Sequence, residues 1–111
     1  MTRSAEFGAT VKGGVRVAQP DIVVHARHLG GENDGPRIGF VVSKAVGNAV
    51  ERHRVARRLR HAARPLVGEF GRGDRMVVRA LPSSRDAASA ELQSQLVAGV
   101  RRAKTVMERN R

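Results

Sequence analysis

Apolar and polar positions along this chain fall into short stretches of two distinct periods. "VRVA" at 15–18 alternates with a period of two and predicts a short strand. Pro20 breaks it, and "DIVVHARHL" at 21–29 predicts a longer one. After the turn-rich "GGENDGP" at 30–36, "RIGFVVSK" at 37–44 predicts a third strand, and its near-continuous apolar end is the pattern of a central, helix-covered strand. "DRMVVRAL" at 74–81 predicts a fourth, ended by Pro82. Three other segments carry the helical period. In "SAEFGATVK" at 4–12, Ser4 caps, Glu6 suits the first turn, Phe7 and Val11 fall four apart, and Gly13-Gly14 ends the helix. Behind Asn48, a candidate cap entered through Gly47, the residues Val55, Leu59, Ala62, Leu66 and Phe70 step by three or four, with Pro65 predicting a break near residue 64. A last helix over 86–108 aligns Leu92, Leu96, Val100, Ala103 and Met107. The order is α-β-β-β-α-β-α: an α+β fold with a four-stranded sheet in one domain, 1–111, whose segment 37–81 is a strand–helix–strand crossover.

The polar side of the middle helix departs from an ordinary solvated face. The stretch 46–61 holds five arginines and two histidines against a single acid, Glu51. At ~100° per residue, Arg54, Arg57, Arg58, Arg60, His61 and Arg64 lie opposite the apolar stripe. Like charges three or four apart destabilise a helix by a few tenths of a kcal/mol per pair, and an anion along that face removes the repulsion. Asn48 and Arg52 fall instead on the side of Val55 and Leu59, aimed at the edge of the sheet. An arginine aimed there needs a carboxylate or an anion, so the two residues are candidates to line a groove beside the sheet.

Charge extends the same reading to the whole chain. Its 21 Lys+Arg against 10 Asp+Glu give a net charge of +11, and 18 of the basic residues are arginine. Guanidinium binds phosphate bidentately and stacks on bases, which ammonium does not, so nucleic acid is the partner class that best relieves the self-repulsion. No apolar run reaches about 18 residues, so no membrane span is predicted. No basic-then-apolar signal opens the chain and there is no cysteine; a cytoplasmic location is expected.

With these residues in view, "VSKAVGNAVERHRVARRLR" resembles the signature of the bacterial ribonuclease P protein subunit. That family runs Val-Ser-Lys, a few residues, Gly-Asn-Ala-Val, then Arg-Asn-Arg and further basic residues. Val42, Ser43, Lys44, Gly47, Asn48, Ala49, Val50, Arg52, Arg54, Arg57, Arg58 and Arg60 match. The order of elements fits over nearly the whole chain. The resemblance implies a mixed sheet with a left-handed β-α-β crossover carrying the Arg-rich helix, against the usual hand. It also implies a division of labour. A catalytic RNA subunit, using magnesium ions, removes the 5′ leader of precursor tRNA; the protein binds that RNA and holds the leader in a cleft. The outer residues Arg54, Arg57, Arg58, Arg60, His61 and Arg64 would meet the catalytic RNA. Phe7, Val11, His25, Lys44, Asn48, Arg52 and His53 would line the leader cleft. No cofactor bound tightly to the protein and no obligate protein partner are expected. The chain departs from the pattern at His53, where asparagine is usual, and at Ala45 and Ala56, where basic residues are usual. Its cleft is poor in aromatics, although stacking is worth about 1–3 kcal/mol per base.

Catalysis by the protein itself finds no constellation. His25 and His28 share a strand at odd spacing and so face opposite ways. His53 and His61 lie too far apart on a helix to share a proton or a metal, and no carboxylate pair sits at working spacing. No catalytic or metal-binding residue is therefore assigned. The alternative is a structural RNA-binding protein of ribosomal type. A basic DNA-binding protein is less favoured, because no helix-turn-helix or zinc signature appears.

Overall fold

The sheet is assembled from short apolar strands, the two central ones buried on both faces. The computed structural model describes residues 14–28, 37–69, 71 and 73–109. Its strands are β1 (Val15–Ala18), β2 (Ile22–His28), β3 (Arg37–Val41) and β4 (Asp74–Ala80), in the order β1-β2-β4-β3. β1 and β4 each pair antiparallel with β2, whereas β3 pairs parallel with β4, so the sheet is mixed as predicted. A parallel pair cannot be joined by a tight turn. The connection is the helix α1 (Ala49–Ala63), followed by a 3-10 segment, Arg64–Glu69. Pro65, which has no N–H to donate, explains why the α-helix stops at Ala63. The chain closes with a 3-10 turn, Pro82–Asp86, and the long helix α2 (Ser89–Arg109).

Both helices bury their stripes against one sheet face. Val55, Leu59, Ala62 and Leu66 from the α1 segment, and Leu92, Leu96, Val100, Ala103 and Met107 from α2, form one core with Ile22, Val24, Ala26, Met76, Val78 and Ala80. Burying a side chain the size of Leu59 or Leu96 contributes about 1.5–3 kcal/mol. At Gly99, α2 comes so close to β2 that an added Cβ would stand 2.8 Å from Val24 Cγ2. A polar clasp fixes the same helix to the β1–β2 turn. The Asp21 N–H donates to Gln95 Oε1 at 2.8 Å, and Gln95 Nε2 donates to Asp21 Oδ2 at 2.7 Å.

Three expectations are corrected. The third strand ends at Val41 rather than at residue 44, because the chain turns at once toward α1, the Val46 N–H donating to Ser43 O at 3.1 Å. Lys44 therefore sits exposed in a turn and not on a strand end. That strand is also at the sheet's edge, not its centre. Its apolar run is covered from above by the core, against which Ile38, Phe40 and Val42 pack half-buried. The last helix begins at Ser89 rather than 86, since Pro82 opens a tight turn with i-to-i+3 bonds, Ser84 N–H to Leu81 O and Ala87 N–H to Ser84 O. The helix expected over 4–12, with Phe7 and Val11, lies outside the described residues, as do the loop 30–36 and Phe70.

Candidate nucleic-acid interface

The Gly-Asn before α1 is the device that starts the helix. Asn48 is the N-cap: its side chain accepts from the Glu51 N–H at 2.9 Å, while Glu51 Oε1 accepts from the Asn48 N–H at 3.0 Å. This reciprocal box satisfies two of the free N–H groups of the first turn. A Cβ at residue 47 would stand 2.6 Å from Glu51 Oε1, so only glycine lets the glutamate fold back over the cap. Glu51 also lies 3.5 Å from Arg85 Nε. The one acid of α1 is thus engaged at its start and does not interrupt the basic face beyond.

On that face, Arg54, Arg57, Arg60, His61 and Arg64 are all exposed. Among the described residues none of them has an acidic partner. Arg58 differs. It is half-buried, and its Nη1 donates to Ala87 O at 3.0 Å, tying α1 to the turn that precedes α2. Part of its guanidinium therefore holds the fold.

The residues expected in a leader cleft divide between two surfaces. Arg52 and His53 share a groove with Phe40, Val42, Ala49 and Ala56 at the margin between α1 and the edge strand β3. Arg52 Nε is buried there without a hydrogen-bond partner among the described residues. Asn48 and Lys44 are exposed nearby, the Asn48 side-chain oxygen being taken up by the cap. His25 is elsewhere. It lies on β2 with β4 between it and β3, on the sheet face opposite the helices, and it is 2% exposed with neither ring nitrogen hydrogen-bonded. Its pKa is lowered, first by burial and then by the positive charges of Arg79 and Arg16, which keeps the ring neutral near pH 7.

That second face holds residues the linear pattern did not single out. Strand register puts Arg16 beside His25, and Arg75 between Arg27 and Arg37. Alternation along β4 adds Arg79 to the same side. Each arginine stands on a different short strand or at a different end of one, so no single stretch of sequence looks basic. His28 does face away from His25, and its Nδ1 lies 2.9 Å from Asp74 Oδ1. Asp74 Oδ2 accepts from the Gly71 N–H at 2.8 Å, so this pair clasps the entrance to β4. It joins residues 46 apart in sequence, which is why spacing gave no sign of it.

A family model described as Ribonuclease P matches residues 1–104 of the chain. The chain belongs to the ribonuclease P protein family. It is 63% identical over 106 residues to the ribonuclease P protein component of Mycolicibacterium paratuberculosis, covering 92% of this chain and 88% of that one. It is 62% identical over 105 residues to the corresponding component of Mycobacterium avium, with the same coverage of 92% and 88%. The fold is similar to that of the Staphylococcus aureus RNase P protein, with a TM-score of 0.81 at 28% identity over 94% of each chain. It is similar in fold alone to the Thermotoga maritima RNase P protein solved with 1-(4-fluorophenyl)-2-thiourea, with a TM-score of 0.76 at 22% identity over 88% of this chain and 94% of that one. In this chain the departures noted above fall in two places. His53 lines the edge groove, and so does Ala56, whose short side chain leaves Arg52 and His53 as that groove's basic groups. Ala45 is exposed in the turn beside Lys44.

Proposed function

We propose that this chain works as the protein subunit of ribonuclease P, docking on a catalytic RNA through the outer face of α1 and helping to hold the 5′ leader of precursor tRNA while the RNA cuts. The observation that carries the reading is the run of exposed arginines on α1 with no acid among them. Such a face repels itself in isolation and is relieved by phosphate. Guanidinium offers a magnesium ion no ligand and repels it. The resemblance to the family is what assigns the magnesium chemistry to the RNA, and to the chain the tasks of binding and orientation. The leader is assigned to the groove between α1 and the edge strand β3, lined by Arg52 and His53 with Lys44 and Asn48 exposed nearby; His25, buried on the opposite sheet face, is not part of it. A cytoplasmic location accords with RNA processing. The ribosomal-type alternative is disfavoured by the family match.

The test combines RNA-free protein, the ribonuclease P RNA and precursor tRNA at low magnesium. Protein alone leaves the substrate intact, and protein with RNA cleaves it faster than RNA alone. Cleavage by RNA-free protein would overturn the assignment. In the assembled enzyme, Arg52→Ala weakens precursor tRNA relative to mature tRNA by on the order of tenfold, the value of one charge-assisted hydrogen bond. An equal loss for both forms would make Arg52 a scaffold residue.

A further inference from the structure

Three shallow grooves cross α1 and run into one another. The first lies against β3 and contains Phe40 and Arg52. It shares Ala49 and His53 with a second, which continues over Val50 to Arg54 and Arg57. These two arginines also line a third, of about 400 Å³, between α1 and the first turn of α2. Together they run along the outer side of α1 from β3 to α2. No carboxylate lines any of the three. Val50, the most exposed large apolar side chain described at 66%, lies on this path.

The third groove is the unexpected part. One wall is Arg54, Arg57, Arg58 and His61; the other is Ser89, Ala90 and Gln93 of α2. Arg58 is fixed in place by its bond to Ala87 O. Ser89 and Gln93 are one turn apart and exposed, so a hydroxyl and a carboxamide line the same groove as three guanidinium groups. A groove that collects cations on one wall and neutral donors on the other, without an acid, is matched by a phosphodiester.

We infer that the RNA-docking surface passes beyond the Arg-rich helix into this groove, where Ser89 and Gln93 contact backbone phosphates of the same RNA strand that meets Arg54 and Arg57. The inference rests on the docking role proposed for α1 and extends it to a second helix. It makes α2's first turn part of the binding site, although nothing in that turn is basic.

The experiment measures affinity of the full chain for the ribonuclease P RNA over a salt series, for wild type, Ser89→Glu, Gln93→Glu and Ala98→Glu. Glutamate is favourable in a helix's first turn and Gln93→Glu is isosteric, so neither change should unfold the chain. Ala98 is exposed on α2, half a turn of the wheel away from Ser89, and supplies the same charge change outside the groove. Each groove variant is expected to weaken binding by on the order of tenfold and to flatten the slope of log affinity against log salt by about one unit. Ala98→Glu is expected to change affinity by less than about threefold. If Ser89→Glu and Gln93→Glu merely track Ala98→Glu, the docking surface ends on α1 and the inference is wrong. Should wild type itself fail to bind this RNA, the docking role of α1 falls first.

Discussion

The two described helices do the same structural work and differ in what they show to solvent. Both press an apolar stripe onto one face of the sheet and onto each other. The outer side of α2 mixes its groups: Glu91, Ser94, Ala98, Arg101, Arg102, Thr105, Glu108 and Arg109 are exposed, and Arg101 Nε lies 3.3 Å from Glu69. The outer side of α1 presents His53, Arg54, Arg57, Arg60, His61 and Arg64 with no acid between them. Interleaved charges are what a merely solvated helix carries, since pairs of opposite sign at helical spacing contribute a few tenths of a kcal/mol and like pairs cost as much. The buried stripes explain why both helices fold where they do. Only the outer faces separate a helix whose charges are interleaved from one whose outer charge is all of one sign.

The largest effect that could break this comparison is on RNA affinity. Arg57→Ala with Arg60→Ala is expected to lower affinity for the ribonuclease P RNA by on the order of a hundredfold and to flatten the salt slope by about one to two units. Arg102→Ala with Arg109→Ala, the same loss of charge from α2, is expected to cost less than about threefold. Equal losses would mean that only net charge matters.

Stability tests the other half of the comparison, the shared packing role. Gly99→Ala drives a methyl group against Val24 Cγ2, 2.8 Å away, and is expected to destabilise by about 1–3 kcal/mol in chemical unfolding. Arg58→Ala sharpens the contrast within α1 itself. It removes the bond to Ala87 O and is expected to cost about 1 kcal/mol of stability, whereas Arg54→Ala, fully on the outer face, changes stability by less than about 0.5 kcal/mol. A loss at Arg54 equal to that at Arg58 would erase the distinction between the two arginines.

The smallest effect lies outside both helices, on the far face of the sheet. His25 has a lowered pKa from burial and from Arg79 and Arg16. The unfolded chain therefore takes up this proton near pH 6.5 while the folded chain does not, and folding stability falls as pH drops below that point. Above it the contribution is absent. Unfolding measured at pH 7 and pH 5 should show a smaller loss for His25→Phe than for wild type. An identical loss would place the acid sensitivity elsewhere.

Local order was largely legible in the sequence. Strands at 15–18, 21–29 and 74–81 and the break near Pro65 follow from alternation and from a residue that cannot donate, and the structure bears them out with ends shifted by one residue. The capping residue, the stripe of Val55, Leu59, Ala62 and Leu66, and the acid-free face opposite were equally visible, because all of these live within a few turns of one helix. The third strand misled for a physical reason. A continuous apolar run reports that side chains are covered, and cover supplied by a core on one side reads the same as cover supplied by flanking strands.

The sequence by itself therefore determined the elements, the period of each, the cap at Asn48, and the concentration of arginine on α1, since these depend on backbone geometry and on neighbours three or four residues away. Only the tertiary structure decided the strand order that sends β3 to the edge. It also gathered Arg16, Arg27, Arg37, Arg75 and Arg79 onto one sheet face with His25, joined His28 to Asp74, anchored Arg58 on Ala87, and set Ser89 and Gln93 across a groove from Arg54 and Arg57. Each of these brings together residues from different elements, and their meeting is fixed by how whole strands and helices pack, a long-range property that no local spacing records.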